Sequence, residues 1–253
     1  VATVLDSQVG YGEESTYGTR VVPTRFLEFN EESMKLALER IEARGLRVGG
    51  EIQRSDRWIA NKKGAGGAIS HEVTNKGFGM LFKHALGAVT ITTPDPTNAP
   101  TARRHAHTLG DLLGKSLTVQ VGRADVTSVA RPFDYPGSKI SEWELVQELD
   151  ALLIWQHTLD SQDEKTDQSL AAAVYPSSAS LFHYGNCSIT VAGSAFSPTR
   201  YSVKGGNGLK TDRYFIRSDT KKKEQLRADM RELSGDLAGE FESLAAYNRF
   251  VNG

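Results

Sequence analysis

Along much of the chain apolar and polar residues alternate with a period of two, the pattern of strands that bury one face of a sheet. Leu117, Val119 and Val121 alternate with Ser116, Thr118 and Gln120, and Ile189 and Val191 with Ser188 and Thr190. Leu233, Leu237 and Phe241 share a side opposite Asp236, Glu240 and Glu242. Each reads as a half-buried antiparallel strand. Residues 139–159 read as a hairpin that turns near Asp150 and Ala151. Trp143, Leu145 and Leu149 mark one face of its first strand; Ile140, Glu142, Glu144, Val146 and Glu148 mark the other. The returning strand, 152–159, begins apolar on both sides, which places it centrally in a sheet with Trp155 in the core.

Helical spacing is confined to three short stretches. Residues 77–86 put Phe78, Leu81, Phe82 and Ala85 on one face, and 224–233 and 244–251 follow the same rule. These are too few for an alternating α/β fold, so the pattern predicts a mainly β protein. Residues 33–42 stay open, because Met34, Leu38 and Ile41 suit a helix while Met34, Leu36 and Leu38 suit a strand. Proline and glycine punctuate long connections at 93–100, 132–137 and 205–208. The stretch 44–67 reads as a long basic arm, with Arg44, Arg47, Arg54, Arg57, Lys62 and Lys63 against Glu51 and Asp56.

A chain of 253 residues, 39% hydrophobic and 24% charged, can bury a sound core. Its 30 basic and 31 acidic side chains leave a net charge of -1, so no overall field draws it to nucleic acid or to an anionic membrane. The single cysteine, Cys187, excludes an intramolecular disulfide and a cysteine-based zinc cluster, and is expected to be a buried, inert thiol. No apolar run approaches the ~20 residues of a membrane-spanning helix, and the first residues lack a signal-peptide pattern. Without secretion the sequon at Asn186-Cys187-Ser188 is a chance match.

Catalytic chemistry needs convergent residues, and the candidate motifs fall short of it. His105 and His107 lie on one side of an extended segment but have no acidic or cysteine partner nearby. Asp160, Asp163, Glu164 and Asp167 lack the central glycine and ligand spacing of a calcium loop and read as a solvated turn. The glycines at 64, 66, 67 and at 205, 206, 208 match no phosphate-binding spacing and read as turn and flexible-arm positions. His183 has no nucleophile signature beside it and reads as a packed or edge histidine. The expectation is a protein without catalytic, cofactor or metal residues.

Ordered strings along most of the chain resemble the tail tube proteins of siphoviruses, long-tailed bacteriophages of actinobacteria and related hosts. They run from G-Y-G-E-E-S-T-Y-G-T at Gly10 and P-T-R-F at Pro23 through E-R-I-E-A-R-G-L-R at Glu39 and R-S-D-R-W at Arg54. They continue with N-K-G-F-G at Asn75, R-P-F-D-Y at Arg131, L-K-T-D-R-Y-F at Leu209 and A-Y-N-R-F-V near the carboxyl end. The resemblance implies one tail-tube domain over residues 1–253, an antiparallel β-sandwich or half-barrel with one main flanking α-helix and long inter-subunit loops. Residues 33–42 then become a strand. It also implies self-association into stacked hexameric rings, a tape measure protein and a tail terminator as partners, and DNA that passes through without specific binding. The place of such a protein is the virion tail, assembled in the host bacterial cytoplasm. Related chains continue past A-Y-N-R-F-V, so a carboxyl-terminal portion is expected to be missing, processed or outside this sequence, in which case one sheet lacks an edge strand or borrows one from a neighbouring subunit.

Two surfaces become candidate sites on that reading. The arm would join subunits through Arg44, Arg47, Arg54, Asp56 and Arg57, with Trp58 as an apolar anchor. An acidic strand face, either Glu142, Glu144 and Glu148 or Asp236, Glu240 and Glu242, would line a channel that DNA slides through, because lysine and arginine contacts to phosphate would hold it back. The alternatives are another virion or injection-device structural protein and a ligand-binding β-sandwich with exposed tryptophans.

Overall fold

The segments of period two are strands, and every ladder between them is antiparallel. The computed structural model of the chain describes residues 7–50, 52, 56–191, 193–240, 244, 247, 248 and 251. The first half of the chain forms β1 (Gln8–Glu14), β2 (Arg25–Leu27), β3 (Glu31–Glu32), β4 (Lys35–Glu42), β5 (Trp58–Glu72), α1 (Gly79–Leu86), β6 (Gly87–Thr92), β7 (Arg104–Leu109) and β8 (Ser116–Ala124). The second half forms β9 (Ala130–Glu148), β10 (Ile154–Ser161), β11 (Ile189–Val191), β12 (Ser194–Phe196), β13 (Pro198–Gly206), β14 (Leu209–Lys210), β15 (Leu226–Arg227) and β16 (Glu232–Gly239). Among the described residues no helix is long and apolar enough to cross a membrane.

Two sheets share the long strand β9. Its first half pairs with β8 and completes the sheet β2-β1-β8-β9; its second half lies between β10 and β13. The second sheet therefore runs from β3 and β4 through β5, β10, β9 and β13 to β16. Two irregularities let β9 cross from one sheet to the other. One residue is extra between the pairs Leu117↔Ser138 and Val119↔Tyr135, and another between Leu159↔Ile140 and Thr158↔Glu142. Such bulges bend and twist a strand. Gly137 supplies the positive φ of 66° at the first of them.

The second bulge corrects the simple alternation. Ile140 is fully buried and faces the core with Trp143, whereas strict period two would put it among the glutamates. The core fills the space between the sheets with Val9, Tyr11, Val119, Tyr135, Ile69 and Leu159 among others. Helix α1 covers one end of it, as the apolar spacing of 77–86 predicts, burying Leu81 and Ala85. Gly87, at φ 102°, ends the helix in the left-handed conformation. Phe82 meets Trp155 edge-on with ring centroids 4.8 Å apart, and Trp143 stacks on Trp155 at 5.2 Å. Each large aliphatic or aromatic side chain buried this way contributes about 1.5–3 kcal/mol.

Three further expectations change. Strand β8 is buried on both faces, because Ser116, Thr118 and Gln120 point into a second, polar interior. There the Glu14 carboxylate accepts from Ser116 Oγ at 2.6 Å, Thr118 Oγ1 at 2.7 Å and the Gly18 and Gly137 amides at 2.9 Å. Residues 224–233 are not helical. Gln225 is buried against Asp160 and the amides of Ala228 and Asp229 donate to Gly208 O, so tertiary hydrogen bonds hold the segment extended. Residues 33–42 contain strand β4, as the resemblance implies. Of the stretch 244–251, the described residues Leu244, Tyr247, Asn248 and Val251 are helical. Cys187 is half-buried, not buried, with its sulfur 3.4 Å from the Tyr201 hydroxyl.

Candidate subunit-interaction surfaces

The basic arm is a β-hairpin. Strand β5 begins at Trp58 and pairs along β4, so the connection is residues 43–57 and the glycines at 64, 66 and 67 lie inside a strand. Gly67 belongs there for a steric reason: a Cβ at that position would come within 2.5 Å of Ser33 O. The Ala43 amide donates to Arg57 O and closes the ladder one step beyond Glu42↔Trp58. Trp58 is half-exposed, and the guanidinium of Arg40 lies 4.3 Å from its ring centroid, a stacking partner the alternation of β4 gives no sign of. Arg44, Arg47, Asp56 and Arg57 are exposed; Arg54 lies outside the described residues.

A charged clamp holds the base of the hairpin. Lys63 Nζ and Lys221 Nζ each lie 2.7 Å from one oxygen of Asp163, and the Lys63 amide donates to Thr220 O at 3.0 Å. Asp160 is bridged by Lys222 and accepts from Gln225 Nε2 at 2.6 Å. Burial pushes the Asp160 carboxyl up against the opposing pull of Lys222. Burial acts on Asp163 in the same sense, but hydrogen bonds from Lys221 and Lys63 hold its carboxyl below the usual range. Asp160 and Asp163 of the acidic run are thus not solvated, whereas Asp167 is exposed. Their partners Lys221 and Lys222 lie in a basic run, and the opposite signs of the two runs are the only trace of the pairing in the sequence.

The two acidic sets meet on one face of the second sheet. Val146 of β9 pairs with Ser202 of β13, and Ser202 with Asp236 of β16, so Asp236 shares the face of Glu144 and Glu148. Two rows along, Glu142, Gly206 and Glu232 stand side by side. At the other end Glu72 of β5 joins the row of Ile154 and Val146. Glu148 is paired with Arg200 at 2.7 Å and Glu144 with Lys204 at 3.3 Å, which leaves Glu142, Glu232, Glu72 and Asp236 without a cation among the described residues. A shallow hollow of about 370 Å³ lies over Glu142, Glu144, Lys204 and Glu232. Glu240 is exposed just past the end of β16, and Glu242 lies outside the described residues.

On the opposite face, Gly205 leaves room for Trp143, because a Cβ there would lie 2.3 Å from the indole. Gly205 and Gly206 are strand residues, not a flexible arm. Both ends of this sheet are open: β4 pairs only with β5 and β16 only with β13 among the described residues, and all eight residues of each are exposed.

His105 and His107 share a side of β7, with ring centroids 5.9 Å apart, and His107 packs against Phe82. No group of three or more possible metal ligands occurs among the described residues. His183 is exposed and accepts from the Gly185 amide to start a single 3-10 turn.

The model of the family described as phage tail tube protein matches residues 5–253. Among solved structures, the chain is similar to one from the cryo-EM structure of the anti-feeding prophage baseplate, 6-fold symmetrised. The match has 15% identity and a TM-score of 0.37 and covers 63% of this chain and 90% of that one. A chain of the anti-feeding prophage cap, the tube terminating cap, matches at 11% identity and a TM-score of 0.36, over 67% and 92% of the two chains. No curated protein matches.

Proposed function

Because the chain belongs to the phage tail tube protein family, we propose that its copies close into hexameric rings, and that the rings stack into the tube of a siphovirus tail and conduct DNA to the host. The protein is then a structural part of the virion and not a catalyst. The observation that carries the reading is the second sheet, which ends in an exposed strand on both sides, β4 and β16. An open edge presents unpaired N–H and C=O groups to another chain, and unlike edges meeting head to tail close by rotation into a ring.

Ring closure turns one sheet face toward a shared channel. The face with Glu142, Glu144, Glu148 and Asp236 suits that position, because the cations standing beside these acids on β13, Arg200 and Lys204, are already paired with glutamates. Over β9, β13 and β16 such a wall gives phosphate no unpaired cation to exchange for its counterions, so DNA moves along it without being held. Glu240 extends the same charge past β16. The arm joins neighbouring subunits through Arg44, Arg47, Arg57 and, by its charge, Arg54, with Asp56 beside them and Trp58 as the apolar anchor. A tape measure protein inside the growing tube and a tail terminator at its end complete the partners, and assembly takes place in the host cytoplasm.

Electron microscopy of the purified protein tests the reading. Hollow fibres or hexameric rings are expected; particles that stay monomeric at every concentration would overturn it.

A further inference from the structure

We propose that an apolar groove beside β16 receives the arm tip of a second copy of this chain, which rests on the ring reading above and names the surfaces that meet. The groove, about 460 Å³, is lined by Ile189, Tyr201, Val203 and Leu237, with Cys187 at one end and Asp236 on the rim. It runs into a second hollow below the β11–β12 hairpin, walled by Phe196. Val203 and Leu237 are 40% and 49% exposed, so among the described residues nothing covers this floor. The arm carries the matching feature: Leu46 and Val48 are 98% and 104% exposed, as open as side chains can be. Exposed apolar groups clustered on a rim of charge mark places where another surface sits.

Charge and geometry select the occupant. The tip is basic, with Arg44 and Arg47 flanking Leu46, and the groove carries an acid, Asp236, on its rim. Arm and groove lie at opposite ends of one sheet, because β5 is separated from β16 by β10, β9 and β13. Four inter-strand steps of ~4.8 Å hold them roughly 19 Å apart at the sheet. The arm also points beyond it: residues 58–64 of β5 extend past the last pair with β10, Ala65↔Ser161. At ~3.3 Å per residue those seven residues carry the turn roughly 23 Å further. Each copy thus presents one arm and one groove on opposite edges, the arrangement of a heterologous, head-to-tail contact.

Cys187 is the only cysteine of the chain and lines the groove, so it serves as the probe. Val48→Cys protein, co-assembled with excess wild type, is treated with a short bis-maleimide and run on a denaturing gel. Covalent dimers are expected, with the bridge mapped by mass spectrometry to Cys187 of a neighbouring copy. Val126→Cys, at the equally open turn between β8 and β9, is the control and is expected to stay monomeric. Assembled Val48→Cys that gives no dimer, or no more than the control, overturns the groove assignment and leaves the ring reading standing. Wild-type protein that never assembles overturns both.

Discussion

At the scale of single residues, the interior holds a hydrogen-bonded relay. His71 Nδ1 donates to Glu28 O at 2.7 Å, which leaves Nε2 to accept from the Tyr11 hydroxyl at 2.7 Å. The Tyr11 oxygen in turn accepts from His157 Nε2 at 3.3 Å, and the two imidazoles stack at 5.6 Å. Acceptance at Nε2 requires a neutral His71, while for His157 it is burial that favours the neutral ring. Burial lowers His71 to about 4, and burial together with the neighbouring His71 pushes His157 well below its ordinary value. The unfolded chain binds these protons near pH 6.5, whereas the folded one refuses His71 its proton until about pH 4. Stability present above about pH 6.5 is therefore lost as pH falls toward 4, by roughly 3 kcal/mol from His71 alone. Denaturant unfolding across that window is expected to show the decline; a curve flat between about pH 7 and 5 would contradict a neutral pair.

At the scale of elements, β5 is half core strand and half arm. From Ala65 to Glu72 it is held by β10, and before Ala65 it is held by β4 and by the clamp on Lys63. Asp163 is buried and carries two lysines, so its loss leaves two like charges facing each other. Removing one partner of such a hydrogen-bonded group costs about 1–3 kcal/mol. The cost should fall locally. In Asp163→Asn, hydrogen exchange is expected to speed up at 58–64 while the β9–β10 ladder keeps its protection. Equal loosening of both would assign the clamp to the core and not to the arm.

At the scale of the whole molecule, one sheet carries an acidic face outward, a tryptophan core inward and an open strand at each end. The proposed channel face makes a charge prediction. Glu142→Lys with Glu232→Lys places two unpaired cations in one row, on either side of Gly206. Tubes of the double variant are expected to form and to retain DNA at low salt, with retention falling steeply as salt rises. Tubes that ignore DNA as wild type does would place this face on the outer wall.

Much of this architecture could be read from the order of residues. Helical spacing located α1 and alternation the β9–β10 hairpin, because an element with one buried face writes its period into the chain; alternation also located β8 and β16, although β8 is buried on both faces and β16 is exposed along its length rather than half-buried. The family could likewise be recognised from ordered strings. What alternation could not carry was any event that breaks its own period. The bulge at Ser141 moved Ile140 into the core, and the buried carboxylate of Glu14 turned the polar side of β8 into interior. Nor could local pattern pair residues far apart. Asp163 meets Lys63 and Lys221, and Asp236 joins the face of Glu144, only because the chain brings distant segments together. Periodicity is a property of neighbours along the chain and so was legible there. Charge pairing, shared faces and open edges are properties of neighbours in space, and the tertiary fold decided them.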